Sequence, residues 1–371
     1  MTSRRSLTTV RCECMHVGLV VYGDLEETSG GFRYDRRLVE SLRARGDTVE
    51  VVSLPWRSLA RGVFDGWSRS IRSRLDRPVD VLLQDELCHP SLWYHNRRLE
   101  RPEAVVALIH HLQSDDPTTR RNRLHRPFER RYLESVDATI ATSEFTRQRA
   151  AKIVPSLADR PGLVASPAGR AGGGAVTKGD VVDRAHDGPL RVTFVGNVVP
   201  RKDPLTLVSA FASERATDDW QLTIVGSHDD RGYVKRVRDR VASLGLTDQV
   251  TLTGEVPTPR LESILEGSHC LCVPSRYEAF GMVYLEAMEY GVVPIATENG
   301  GPREFVDHGT SGVLVDPGDS RAIATALERL DTDRDRLATL GVSALEGARE
   351  HPTWDETMRS VRSFLQRVAT P

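Results

Sequence analysis

Two glutamates eight positions apart, Glu278 and Glu286, bracket a Phe-Gly pair in the stretch SRYEAFGMVYLEAMEYGVVPIATENGG over 275–301. Glu278 falls in a loop after the apolar run 269–273. Glu286 falls in the first turns of a helix that the pattern starts near Gly281 or Met282. Both carboxylates can therefore face one ligand. A helix start there leaves backbone N–H groups free at Phe280, Gly281, Met282 and Val283, and such groups attract phosphate or hydroxyl oxygens. Gly281 lets a ligand come close to the main chain. The plain alternative is that each glutamate is a solvated acid or one that stabilises the helix start.

A second set of residues opens the run VGNVVPRKDPLTLVSAF over 195–211. A strand ends at Gly196, a short loop carries Asn197, Arg201 and Lys202, and a helix begins at Asp203 or Pro204. Ligands of open parallel sheets collect outside the carboxyl ends of strands, which is where this loop falls. Adjacent cations suit a diphosphate, since arginine binds it bidentately and lysine adds a point charge. Alone, this is an exposed Arg-Lys turn. Followed some 75 residues later by the carboxylate pair, it becomes half of a site for a ligand with both phosphates and hydroxyls.

These loops need elements to hold them. Residues 16–22, 48–53, 79–83, 104–109, 137–141 and 162–166 read as strands separated by helical patterns, the rhythm of a parallel, doubly wound α/β sheet. A second series follows at 190–196, 221–225, 249–252, 269–273, 292–296 and 312–315. Between them, 171–189 gathers glycines and loses apolar periodicity, so it reads as a linker. The expected plan is a disordered leader over 1–14, a Rossmann-like domain over 15–170, the linker, a second such domain over 190–351, and a final helix within 352–371. In that helix Trp354, Met358, Val361, Phe364 and Leu365 recur at helical spacing, and it is expected to cross back onto the first domain.

At 371 residues the chain can hold two cores. A formal charge of −2 gives no reason to expect nucleic acid as a partner. Residues 1–14 lack the apolar run of a signal peptide and no stretch reaches membrane-spanning length, so a cytoplasmic protein is expected. The five cysteines (Cys12, Cys14, Cys88, Cys270 and Cys272) lack metal-ligand spacing and read as free thiols. Gly172 to Gly174 with Lys178 lacks P-loop spacing, and Asp331, Asp333 and Asp335 lie between helices, where capping explains them. No metal site is expected. Residues 55–77, with Trp56, Leu59, Val63, Trp67, Ile71 and Leu75 along one stripe among arginines, read as a basic amphipathic helix. It either buries its stripe on the first sheet or touches anionic lipid at the inner face of a membrane.

Taken together, the VGNVVPRK loop, the TGEV turn over 253–256, EAFGMVYLE over 278–286 and GGPREFVDHGTSGVLVDPGD over 300–319 resemble glycosyltransferase family 4, retaining enzymes of the two-domain GT-B fold. More loosely, SGGFRYDRRLVESLRARG over 29–46 looks like that family's glycine-rich first loop and helix, and VVALIHHL over 105–112 like its strand-end histidine segment. The resemblance implies transfer of a sugar from a nucleoside-diphosphate sugar to a hydroxyl acceptor (a glycan, a lipid-linked sugar or a small molecule), with no cofactor or metal required. It implies that Arg201 and Lys202 hold the donor's phosphates beside Gly196 and Asn197, and that Glu286 binds ribose. Glu278 and the amides from Phe280 to Val283 would hold the transferred sugar. Gly254, Glu255 and Val256 would pass the base, His110 rather than His111 would sit near the sugar, and Gly30 and Gly31 would line the acceptor side. Many members carry a basic residue where this chain has Asn197. A sugar-nucleotide epimerase and a non-catalytic sugar-nucleotide-binding subunit are the rival readings, and only four lysines leave little room for pyridoxal chemistry.

Overall fold

The computed structural model describes residues 14–27, 29–170 and 176–369. The expected leader up to residue 13, Cys12 and the Gly172–Gly174 cluster lie outside the described residues. Two six-stranded sheets account for all twelve expected strands. In the first, β1 (His16–Tyr22), β2 (Thr48–Leu54), β3 (Val81–Asp85), β4 (Ala104–Ile109), β5 (Ala138–Ala141) and β6 (Gly162–Val164) lie in the order β2-β1-β3-β4-β5-β6. In the second, β7 (Arg191–Val195), β8 (Gln221–Val225), β9 (Val250–Gly254), β10 (Cys270–Val273), β11 (Val293–Thr297) and β12 (Val313–Val315) lie in the order β12-β11-β10-β7-β8-β9. Every pairing is parallel. Helices cover both faces, which is why the central strands are apolar throughout rather than alternating. β3, β4, β5, β10 and β11 are buried at every position.

Strand order reverses between β1 and β3 in the first sheet and between β7 and β10 in the second. At such a reversal the connections leave on opposite faces and open a crevice beyond the strand ends. The loops after β7 and β10 carry Arg201, Lys202 and Glu278, and the loop after β1 leads into the helix Gly30–Ala44, which Gly30 and Gly31 open.

The helix Trp354–Ala369 returns to the first domain as expected: Met358, Val361, Phe364 and Leu365 are buried with strand residues Val17, Leu19 and Val81 in one cluster. Arg362 Nε donates to Asp47 at 2.6 Å, and Trp354 Nε1 to the Gly169 carbonyl at 2.8 Å.

Two local expectations change. The stretch read as linker contains the helix Lys178–Ala185, capped reciprocally by Thr177 and Asp180. Its buried Val181 and Ala185 lie one turn apart on a short apolar face that a glycine-rich window hides, and Val181 fits against Gly291 and Gly341. The 55–77 stretch is two short helices, Leu59–Asp65 and Arg69–Leu75. Gly66 ends the first and the Ser68 hydroxyl caps the second, accepting from Ile71 N at 3.3 Å. The single apolar stripe is thereby divided. Ile71 and Leu75 enter the core, whereas Trp56, Phe64 and Trp67 are 51%, 72% and 55% exposed.

Candidate active site

The cationic loop and the first glutamate meet directly. Lys202 Nζ donates to Glu278 Oε2 at 2.5 Å, and the Ser275 hydroxyl donates to the same oxygen at 2.9 Å. Arg201 donates to the Tyr277 carbonyl at 3.2 Å, while its own carbonyl accepts from Arg276 N at 2.8 Å, so the two loops are laced together. Asp203 supports the arrangement from below. It takes a left-handed backbone (φ 49°) at the start of helix Pro204–Phe211 and pairs with Arg276 at 2.9 Å. Burial works against charge on Glu278. The charges of Lys202 and Arg201 with the two hydrogen bonds outweigh it and hold the carboxyl below its ordinary range. Burial also draws the Lys202 ammonium down, partly offset by Glu278.

Glu278 and Glu286 are set by an unusual turn. Gly281 (φ +92°) precedes helix Met282–Met288, and a Cβ there would stand 2.6 Å from the Tyr284 ring. No other residue type fits that turn without strain. Glu286, 4% exposed, is not free in the cleft. Arg170 Nε donates to its Oε2 at 2.8 Å, and Arg33 reaches its Oε1 from the first domain.

His110 follows β4 and bonds Asp35 Oδ1 through Nε2 at 2.9 Å. Burial opposes its protonation, but Asp35, with Asp85 and Glu86 behind it, prevails and raises the imidazole to about 9. The same burial lifts Asp85 to about 7. Gly31 lies against the ring, with room for a Cβ only 3.5 Å from His110 Cδ2, and Gly30 faces Met282 across the cleft. His111, expected to be uninvolved, packs its ring on Tyr277 with centroids 4.9 Å apart and lies near enough to Arg201, Glu278 and Lys202 to feel their charges. Burial and the charge of Arg201 pull it down to about 3.

The expected residues thus form one connected set: His110, Gly31 and Gly30 on one wall, Met282, Gly281, Glu278, Lys202 and Arg201 on the other. Gly196 abuts the Lys202 side chain, and Gly254 accepts from Gly226 N at 3.0 Å beside it. Asn197 and Glu255 are exposed, Val256 and Val283 half-buried, and Phe280 buried against Phe305. Residues not foreseen are Arg33, Arg170, Asp35 and Asp85. Arg170 sits next to the linker and Arg33 in a run of helix arginines, so neither had a local signal. Asp35, a charged residue on the otherwise apolar face of helix Gly30–Ala44, was a signal that helical spacing could have raised. Asp35, Asp85 and His110 bring three ligand-type atoms within 4.8 Å, but His110 Nε2 is already committed to Asp35.

Clamps close the cleft. The Ser143 hydroxyl donates to the Ala279 carbonyl at 2.7 Å, and Glu304 accepts from Glu144 N and Phe145 N at 2.9 and 2.6 Å at a helix start.

Comparison with known proteins bears on the family and the fold. The model of the family described as glycosyl transferases group 1 matches residues 181–345. A GDP-mannose-dependent alpha-(1-6)-phosphatidylinositol monomannoside mannosyltransferase of Mycobacterium tuberculosis is 33% identical over 183 residues, 47% of either chain. A D-inositol 3-phosphate glycosyltransferase of Thermobispora bispora is 37% identical over 162 residues, 42% of this chain and 38% of that one. The chain spans about half the length of the curated relatives it matches, or less. Among solved structures, sucrose-phosphate synthase from Thermosynechococcus elongatus superposes with a TM-score of 0.80 at 21% identity, covering 95% of this chain and 99% of that one. Anabaena HepE in complex with UDP-glucose gives 0.74 at 17% identity, covering 95% and 100%. Residues 181–345 therefore match the glycosyl transferases group 1 family model, within a chain that has the two-domain GT-B fold.

Proposed function

We propose that the protein is a retaining glycosyltransferase of family 4, moving a sugar from a nucleoside-diphosphate sugar to a hydroxyl acceptor. The observation that carries this reading is the Lys202–Glu278 pair with Arg201 at the strand-order reversal of the second sheet, facing Gly30, Gly31 and His110 across the cleft. Bond breaking puts negative charge on the departing diphosphate. Arg201 and Lys202 are fixed in advance beside a largely buried carboxylate, where such charge is stabilised strongly. In this reading the two cations meet that demand without a metal ion. Glu278, kept ionised by Lys202, accepts hydrogen bonds from hydroxyls of the transferred sugar and orients it. It is not a glycosidase-type nucleophile. The acceptor hydroxyl attacks on the face that the diphosphate leaves, and its proton passes to the departing phosphate. The imidazolium of His110 donates to a sugar oxygen.

Relatives named for GDP-mannose and a neighbour solved with UDP-glucose make nucleoside-diphosphate hexoses the first donors to test. A thermal-shift screen of UDP-, GDP-, ADP- and TDP-sugars should show one that raises the melting temperature, since a ligand selective for the folded state stabilises it. Incubating that donor with and without acceptors, followed by assignment of the anomeric configuration, separates transfer from epimerisation. Stabilisation by none of the four would count against the donor site, and an inverted product against retention.

The relatives named for phosphatidylinositol mannoside and inositol 3-phosphate point to a phosphorylated or lipid-linked acceptor. No helix among the described residues is long and apolar enough to cross a membrane. Exposed Trp56, Phe64 and Trp67 among arginines instead suit peripheral contact at the cytoplasmic leaflet. Sedimentation with anionic vesicles but not neutral ones is expected, and equal sedimentation in both sinks the electrostatic part of this idea.

A further inference from the structure

A second buried polar cluster lies in the first domain, outside the residues assigned to transfer. Glu86 begins the turn after β3, His89 opens the helix His89–Leu92, and Glu129 comes from the helix Arg126–Leu133. One ligand-type atom from each lies within 4.8 Å of the others. The three residues are 0%, 1% and 0% exposed.

What sets this cluster apart is what it lacks. Glu129 Oε1 accepts from Ser114 N at 2.9 Å, but both carboxylate oxygens of Glu86 are buried with no hydrogen-bond partner among the described residues. The nearest polar atom given for Glu86 Oε1 is His89 Nδ1 at 3.2 Å, a nitrogen that lies 3.0 Å from the Glu86 carbonyl. Leaving a buried carboxylate without donors costs several kcal/mol, so such groups neutralise, pair or coordinate metals. Neutralisation is available in the empty site: burial pushes Glu86 well up and Glu129 to about 7. Coordination satisfies more of the orphaned atoms. An oxygen and a ring nitrogen 3.2 Å apart, poorly aligned for a hydrogen bond, are spaced as neighbouring ligands of one tetrahedral ion with bonds of about 2.0–2.2 Å.

We propose that Glu86, His89 and Glu129 bind one divalent first-row transition-metal ion, of the zinc or manganese class, which pins the segment after β3 to the helix Arg126–Leu133. The donor set, one imidazole and two carboxylates, belongs to that class. His89 binds through Nδ1, which must turn from its hydrogen bond with the Glu86 carbonyl, and the proton on that nitrogen moves to Nε2, which lies 3.0 Å from His125 Nδ1. His125 Nδ1 stands within hydrogen-bond distance to accept that proton's bond. A metal-bound histidine typically donates its second ring N–H in this way. Both glutamates bind ionised, so loading releases the protons they hold in the empty state. Glu86 also faces His110, but the proposal does not depend on the donor assignment.

Because the cluster is closed, the test starts with the intact protein refolded after chelation, in the presence of Zn²⁺ or Co²⁺. One ion per chain is expected by mass spectrometry, with a higher melting temperature than the metal-free protein. The cobalt form should show visible ligand-field absorption without the near-ultraviolet band of a thiolate ligand. Glu86→Gln/Glu129→Gln, which keeps shape and removes charge, should retain the circular dichroism of the parent and lose the ion. A wild-type protein that refolds without binding either ion overturns the proposal, as does undiminished binding in the double variant or a thiolate band. If the double variant does not fold, the wild-type stoichiometry and spectrum still decide.

Discussion

Lys202 and Glu278 show how one buried pair can both hold a loop and prepare a site. Their side chains are 13% and 9% exposed, so each charge depends on the other. Breaking a buried pair from one side leaves the partner uncompensated and typically costs about 3–5 kcal/mol. Glu278→Gln should therefore destabilise the protein by about 3 kcal/mol, and Lys202→Met/Glu278→Gln should lose less than the sum of the single changes. Denaturant unfolding of the four proteins checks this. His110 makes a second residue-scale prediction. Its folded value, about 9, lies above the ordinary imidazole value, so its contribution is full below about 6.5 and fades as pH rises through about 9. Facing it are Asp35, Asp85 and Glu86. The stability gap between wild type and His110→Gln should shrink between those pH values, and a gap that widens would contradict the imidazolium.

At the scale of elements, the helix Gly30–Ala44 does more than cover the first sheet. Its Ser29 cap and glycine pair let it approach the second domain closely enough for Arg33 to reach Glu286. Glu286 then carries two arginines, and ribose hydroxyls must share it with them. Arg33 is 22% exposed in its side chain, so its hold is partly screened. An ion pair of this kind is worth about 0.2–1 kcal/mol. Arg33→Ala is expected to tighten nucleotide binding roughly two- to fivefold and to open the cleft, read by calorimetry and by an increase in the radius of gyration on scattering. Weaker binding would instead make Arg33 a direct ligand of the donor. The turn at Gly281 gives a parallel test: Gly281→Ala forces a side chain into a left-handed turn against Tyr284, at a cost of at least about 1–2 kcal/mol in melting experiments.

At the scale of the whole molecule, the two domains are joined by exchange of an element. The helix Trp354–Ala369 belongs by sequence to the second half and by packing to the first. Full burial of one large apolar side chain is worth about 1.5–3 kcal/mol. Met358, Val361, Phe364 and Leu365 together thus contribute roughly 6–12 kcal/mol, comparable with the entire stability of a typical domain. A chain ending at Glu350 should lose the fold of its first domain while the second persists, which limited proteolysis with mass spectrometry would show as protection confined to the second domain. Equal protection of both halves would refute that division of the core.

The sequence by itself determined the strands and the two-sheet plan, because full burial of parallel strands writes continuous apolar runs that need no partner to be read. It also placed the Arg201–Lys202 loop and Glu278, because strand ends and turn glycines are local signals. Tertiary structure alone decided which charges meet. Lys202 bonds to a carboxylate 76 positions away, Arg33 to one 253 away and His110 to one 75 away. No periodicity reports such distances. The division of the 55–77 stretch and the helix hidden at Lys178–Ala185 were decided in the same way, by caps and glycine contacts that outweigh a weak apolar pattern. Composition gave the kinds of charge available, and only the fold set their distances, burial and protonation.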